Sequence, residues 1–226
     1  MRRVLKRFAS HLPLSTQVAL KKVYFRRSIA RGSFNTDEPE YALLCRWVKC
    51  GDWVVDGGAN VGHYTRELSR LVGSTGRVLA FEPMPPTFEV LTSNCSGCEN
   101  VTLFNAALSS GCKLVFMETP QSNDGSSNYY ESHVGNTGLS VLAVALDSYR
   151  LDSRVALIKL DLEGHETEAL RGMRSVLARD KPRLIVEGNP PEVVTLLSDL
   201  DYTWEAIPGS PNRIWTNVAS SCTSEV

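Results

Sequence analysis

Trp53-Val54-Val55-Asp56-Gly57-Gly58-Ala59-Asn60-Val61-Gly62 is the stretch that decides the fold. An apolar run delivers an acid, a glycine-rich turn follows, and a helical pattern begins. That order is a strand feeding a helix through a turn where glycine permits positive φ and lets a ligand approach the backbone closely. The dinucleotide register is missing, because G-x-G-x-x-G cannot be drawn through Gly57, Gly58 and Gly62. The turn reads D-x-G-x-N-x-G instead, a spacing suited to a nucleoside without a pyrophosphate. Asp56 suits a cationic ligand better than a phosphate.

Downstream, short apolar runs recur at Val78–Glu82, Val101–Leu108, Leu114–Met117, Val141–Leu146, Val155–Asp161, Arg183–Glu187, Tyr202–Ile207 and Arg213–Thr216. Helical patterns fit at 61–72, 86–95, 166–178 and 191–200. This alternation predicts an α/β fold with a mostly parallel sheet and helices on both faces. The last two runs, joined by Pro208-Gly209-Ser210-Pro211-Asn212, predict an antiparallel hairpin. Glu118 to Gly138 is almost free of aliphatic residues, and its length and two tyrosines suggest a flap over a site.

Upstream the chain is different. Residues 1–36 hold nine basic side chains and no acid, so the rest carries a net charge of −10 within a total of −1. Val4, Leu5, Phe8, Ala9 and Leu12 mark a short amphipathic helix that Pro13 stops. A second helix is expected over about 16–28, capped by Ser15, and a third helical stretch over Asp37–Val48. The domain reading is a basic helical arm over 1–50, an α/β domain over 51–218 and a polar tail over 219–226. The arm has three readings: a cover packed on the acidic body, which is favoured, a peripheral contact with an anionic membrane, or an organellar leader.

Of the 226 residues 42% are hydrophobic and 22% charged, which argues against wholesale disorder and coiled coil. No run is long and apolar enough for a transmembrane helix, and no apolar core follows the basic start as a secretory signal requires. Six cysteines are too sparse for a disulfide scaffold, so a reduced, cytoplasmic chain is expected. Cys95-Ser96-Gly97-Cys98 is a lone C-x-x-C without a second pair at zinc spacing, so no zinc site is expected there. Asp161 and Glu187 end neighbouring strands and could hold a divalent ion, but one pair of acids is weak evidence, so no metal is assigned. No aromatic–basic interleaving accompanies the charge, so no nucleic-acid partner is expected. Nothing in the sequence signals subunit assembly.

Two further elements carry chemistry. Glu82 ends the second strand 20 residues past Gly62, where one carboxylate can accept both hydroxyls of a ribose. Lys159-Leu160-Asp161-Leu162-Glu163-Gly164-His165-Glu166 gathers four titratable groups around a glycine at a strand's C-terminal end. Glu166 and Glu168 fit acids at a helix start; Asp161 and His165 do not.

Asp56–Gly62, Phe81-Glu82-Pro83, Leu91, Asn94, Asn105-Ala106-Ala107-Leu108 and Asp161–Glu166 together resemble the FkbM family of S-adenosylmethionine-dependent methyltransferases, over about residues 40–190. The resemblance implies a class I methyltransferase, Rossmann-like fold with a seven-stranded sheet, parallel except for one strand. It implies S-adenosyl-L-methionine as cofactor and O-methyl transfer to a hydroxyl acceptor, a sugar or secondary metabolite. Carried over, Asp56, Gly58, Asn60 and Gly62 line the methionine and ribose side, and Glu82 holds the ribose hydroxyls. Asn105 and Ala106 sit beside the adenine, and Asp161, Glu163 and His165 face the methyl group and the acceptor. His165 stands where the family tolerates several residue types. A side chain at Gly62 is expected to intrude on the nucleoside. Two other classes compete: an NAD-dependent oxidoreductase, disfavoured by the missing glycine register, and a non-catalytic degenerate module, disfavoured by the intact Asp56, Gly62, Glu82 and Asp161.

Overall fold

The protein is described here by a computed structural model covering residues 12–120 and 129–218. The expected helix through Val4, Leu5, Phe8 and Ala9, the middle of the expected flap, Cys222 and the polar tail lie outside the described residues.

The glycine-turn strand, β1 (Trp53–Gly57), is central to a seven-stranded sheet. On one side it pairs with β2 (Arg77–Phe81), which pairs with β3 (Val101–Phe104). On the other it pairs with β8 (Val155–Leu160), then β9 (Arg183–Glu187). These five strands are parallel. β11 (Asn212–Asn217) runs antiparallel to both β9 and β10 (Tyr202–Ala206), so one strand of seven is reversed and the C-terminal hairpin forms as expected.

Parallel strands must bury both faces, and the side chains alternate accordingly. Val55, Leu79, Ile158, Leu160, Leu184 and Val186 face α5 (Glu166–Arg171), α6 (Arg174–Asp180) and α7 (Pro191–Ser198), packing with Leu170, Leu177 and Leu197. Val54, Val78, Ala80, Leu157 and Ile185 face the other way, toward α3 (His63–Val72), α4 (Pro85–Asn94) and the one-turn α2 (Leu44–Trp47). Full burial of such an aliphatic side chain contributes about 1.5–3 kcal/mol.

Four differences from the sequence expectation have identifiable causes. The run Val101–Leu108 is two strands, because the chain turns at Asn105 after β3. β4 (Ala107–Leu108) joins a second, four-stranded sheet with β5 (Lys113–Glu118), β6 (His133–Gly135) and β7 (Leu139–Val144). Part of the expected flap is therefore strand β6, and Glu118 closes its turn by accepting from the backbone N–H groups of Asn136 and Thr137 at 2.8 and 3.0 Å. The helix expected over 166–178 breaks at Gly172, where a Cβ would lie 1.9 Å from the Ser109 carbonyl oxygen. Asp147, from a distant turn, then starts α6 by accepting from the Ser175 and Val176 N–H groups. Asp37–Val48 is a 3₁₀ turn over Pro39–Leu43 followed by α2, pinned by buried Glu40 accepting from Asn212 Nδ2 in β11.

The described part of the basic arm packs on the body. α1 (Leu14–Ala30) sets Val18 against Val61 and Val90, and Lys22 pairs with Glu89 of α4. Its N-cap is Pro13 rather than Ser15, and Gln17 Nε2 donates to the Leu12 carbonyl across the first turn. Cys95 is buried beside the glycine turn, and Arg66 Nη1 reaches the Cys98 sulfur at 3.5 Å.

Candidate active site

The site lies along the C-terminal ends of the central strands, where an open α/β sheet leaves its crevice. Two clefts meet there. The first, about 620 Å3 and open to solvent, is lined by Gly58, Asn60, Glu82, Ala106, Asp161, Glu163 and His165, with Met117, Tyr129, Ser132 and Val134 of the second sheet opposite. The second, about 630 Å3, lies under α1 and takes in Phe25, Glu38, His63, Tyr64 and Lys159. Gly58, Asn60 and Asp161 line both clefts, so the two form one groove across the sheet.

The glycine turn makes the groove possible. Gly58 has φ +72°, and a Cβ there would stand 1.9 Å from the Asp161 carbonyl oxygen. Only a residue without a side chain lets β1 and β8 close to this distance. Asn60 follows at φ 50°, and its Oδ1 is buried without a hydrogen-bond partner. A buried acceptor in this state is matched by a donor group on a ligand.

Glu82 is 6% exposed and accepts from the N–H groups of Asn60 and Met84, both at 2.9 Å. Burial raises its carboxyl to about 7 against the pull of those two bonds. Asn105 does not line the groove; its Nδ2 donates to the Glu82 and Pro83 carbonyls at 2.8 and 3.0 Å and so fixes the turn that presents Glu82. Asp56 is fully buried beneath the groove, accepting from Thr65 Oγ1 at 2.6 Å, and burial raises its carboxyl.

Gly62 also lies off the groove. At φ +95°, its Cβ would point at Leu91 Cδ1, 2.7 Å away, with Cys95 Sγ at 3.4 Å. At this position the glycine serves the packing of α4 on the turn. Gly62→Val is therefore expected to lower the melting temperature by roughly 5 °C, about 1–3 kcal/mol of overpacking at 2–4 °C per kcal/mol. Weaker donor binding would follow from that distortion. Lost donor binding with an unchanged melt in a thermal scan would return Gly62 to the ligand.

The strand-end turn after β8 is strained. Glu163 has φ 52° and Gly164 φ +93°, so two successive residues are left-handed, and Glu163 is exposed. Glu166 braces the turn by accepting from the Leu162 N–H at 2.8 Å, and Glu168 pairs with Arg171 and Ser110. These two acids belong to the helix start, as the sequence suggests. His165 is half-buried, its Nε2 3.0 Å from Ser109 Oγ, and burial lowers its pKa so that it is neutral near pH 7. Burial raises the Glu163 carboxyl, helped by Asp161 and by Glu131 of the overlying segment.

Sequence reasoning gave Lys159 no role and saw Glu187 only as an acid ending the strand next to Asp161. Lys159 is 3% exposed, 3.0 Å from Asp161 Oδ2 and over the Tyr64 ring. Burial alone pulls its ammonium down; Asp161 and Asp56 outweigh that and hold it at about 12. Lys159 in turn holds Asp161 below the usual carboxylate range. Glu187, at the end of β9, is hydrogen-bonded to Asp161, and burial with that neighbouring charge raises it to about 8. The available signal for Lys159 was a lone charge inside an otherwise apolar strand.

Residues 56–203 match the model of the methyltransferase FkbM domain. The chain belongs to the FkbM methyltransferase family. Hexuronic acid methyltransferase AglP of Haloferax volcanii is 28% identical over 175 residues, 72% of this chain and 68% of that protein. Methyltransferase sdnD of Sordaria araneosa is 25% identical over 203 residues, 71% of this chain and 78% of the other. The structure of methyltransferase FkbM from Methylobacillus flagellatus KT shares the fold, with a TM-score of 0.57 and 17% identity over 95% of this chain. The present chain spans 59% of that protein's length.

The methyl donor of this FkbM methyltransferase is S-adenosylmethionine. The groove suits it: the unpartnered Asn60 Oδ1, the close backbone at Gly58 and the Glu82 carboxylate are placed for an ammonium, an extended nucleoside and a diol. Among the described residues no helix is long and apolar enough to cross a membrane.

Proposed function

We propose that the protein transfers a methyl group to a hydroxyl of a sugar or of a secondary metabolite. The observation that carries this reading is the turn Asp161–His165, which lines the same groove as Glu82 and brings two carboxylates and a neutral imidazole to one mouth. When bound, S-adenosylmethionine supplies an electrophilic methyl group on a sulfonium. Glu82 takes the ribose hydroxyls and so fixes the donor's register along the groove. Asp161 places negative charge beside the sulfonium side of the groove and, held by Lys159 and Glu187, orients rather than abstracts. An alcohol must lose its proton as it attacks, and a base within reach assists. Glu163 stands at the open mouth and takes that proton; burial and neighbouring acids make it a stronger base than a free carboxylate. His165 supports it from the Ser109 side. Tyr129, Ser132 and Val134 overlie the cleft and help to exclude water, and alignment of the two reactants supplies much of the acceleration. The hexuronic acid methyltransferase among its relatives supports a sugar acceptor.

The test is a screen of hydroxylated acceptors, sugar acids included, with labelled methyl donor, run with and without chelator. Glu163→Gln and Asp161→Asn are each expected to lower turnover roughly tenfold or more with little change in donor affinity, since they act on the transition state. His165→Ala gives a smaller loss. An inactive His165→Ala beside a nearly normal Glu163→Gln reverses the assignment and makes the histidine the base. Donor binding without transfer to any hydroxyl would remove the O-methyl reading.

A further inference from the structure

α1 is apolar on two opposite faces. Val18 and Phe25 face the body, and half-buried Ile29 continues their helical spacing. On the far side, Leu20 and Val23 are each 49% exposed and Tyr24 is 65% exposed. Residues 20, 23, 27 and 31 follow one another at spacings of three and four, so exposed Arg27 and Arg31 continue the row begun by Leu20 and Val23. Arg26 is exposed beside them, and none of the three arginines forms an ion pair among the described residues. Among the described residues the helix thus has one partner, the body, and a second face that is apolar in its first half and cationic in its second.

We propose that this outer face of α1 docks the protein on an anionic phospholipid surface. The argument is charge complementarity joined to exposed aliphatic groups. α1 itself carries no Asp or Glu, so no acid on the helix opposes an anionic layer. Arg26, Arg27 and Arg31 pair with headgroup phosphates while Leu20 and Val23 enter the acyl boundary. Tyr24 lies at the headgroup level, where its ring and hydroxyl both find partners. A nucleic acid would satisfy the arginines but leave Leu20 and Val23 in water. A second copy would bring two acid-free faces together, like charge against like charge. Phe25 of the same helix lines the groove, so docking sets the groove about one helix diameter, roughly 10 Å, from the surface.

The test is co-sedimentation of the full chain with vesicles of phosphatidylcholine mixed with phosphatidylglycerol, against phosphatidylcholine alone. Binding is expected only with phosphatidylglycerol, falling as salt rises. Arg27→Glu with Arg31→Glu is expected to weaken it roughly tenfold or more, since each basic residue near such a surface counts for about fivefold. Leu20→Glu with Val23→Glu is expected to weaken it as well, with melting temperature and donor affinity unchanged in both double variants. Equal binding to both vesicle types, or to neither, overturns the proposal. So does indifference to the Leu20/Val23 change with displacement of vesicles by duplex DNA, which would mark a nucleic-acid patch. A dimer in sedimentation that Leu20→Glu dissolves, without vesicle binding, would assign the face to a second copy.

Discussion

Glu82→Ala is expected to weaken S-adenosylmethionine binding tenfold to hundredfold while the fold is retained. The variant removes the carboxylate that sits in the groove at the end of β2. Hydrogen bonds to a charged group contribute about 1.5–3 kcal/mol, which is this range of affinity. Isothermal titration of donor or of its demethylated product measures it, and unchanged affinity in a folded variant removes Glu82 from the site. A pH dependence accompanies the effect. Burial raises the Glu82 carboxyl to about 7, so below that value the group is protonated and donates one of the bonds a diol needs it to accept. Donor affinity should rise as pH is raised from about 6 to 8, and Glu82→Gln should flatten that rise. The stability sign is opposite. The folded carboxyl holds its proton more tightly than the unfolded one, so the folded state loses stability as pH climbs from about 4.5 through 7, by about 3 kcal/mol at most.

Lys159→Met is expected to lower the melting temperature by about 10 °C and donor affinity with it. Lys159 is buried between Asp161, 3.0 Å away, and the fully buried Asp56. Methionine fills the volume but leaves two acids without their cation, and breaking a buried pair in this way destabilises by about 3–5 kcal/mol. At about 2–4 °C per kcal/mol for a domain of this size, the shift is large in a thermal scan. The relief available is protonation, so Asp161 and Glu187 in the variant should share a proton more tightly and the stability deficit should shrink as pH falls. A melt within 2 °C of the parent would show that Lys159 is not the counter-charge for the pair. Asp161 in the parent contributes in the usual direction for an acid held below its ordinary range. Its stabilisation is present above about pH 4 and is lost as pH falls.

The central architecture was legible because it rests on short-range rules. β1, its glycine turn and α3 occupy one continuous stretch, and a short apolar run followed by glycines at positive φ specifies them locally. The C-terminal hairpin was legible from its Pro-Gly turn. Glu82 was legible because chain length from a strand-turn-helix unit to the end of the next strand is nearly constant in such folds. The second sheet was not, since Leu114–Met117 and Val141–Leu146 have the same apolar character as a main-sheet strand. Their partners are each other rather than β3, and strand propensity carries no information about which sheet a strand joins.

What the sequence determined by itself is the unit from Trp53 to Val72, the parallel run of strands, the carboxylate at 82 and the acid-bearing turn at 161–165, all set by backbone geometry within a few residues. What only the tertiary structure decided are contacts between segments far apart in the chain. Gly62 is a packing glycine because Leu91 lies against it. The helix at 166 stops because Gly172 meets the Ser109 carbonyl and Asp147 caps the next one. Asn105 fixes the turn at Glu82 by donating to the Glu82 and Pro83 carbonyls. Lys159 becomes the centre of the site's charge because β1 and β8 bring Asp56 and Asp161 to its buried ammonium. The physical reason is common to all four: burial and desolvation belong to the neighbours a fold assembles, and a charge or a missing Cβ acquires its meaning only from them.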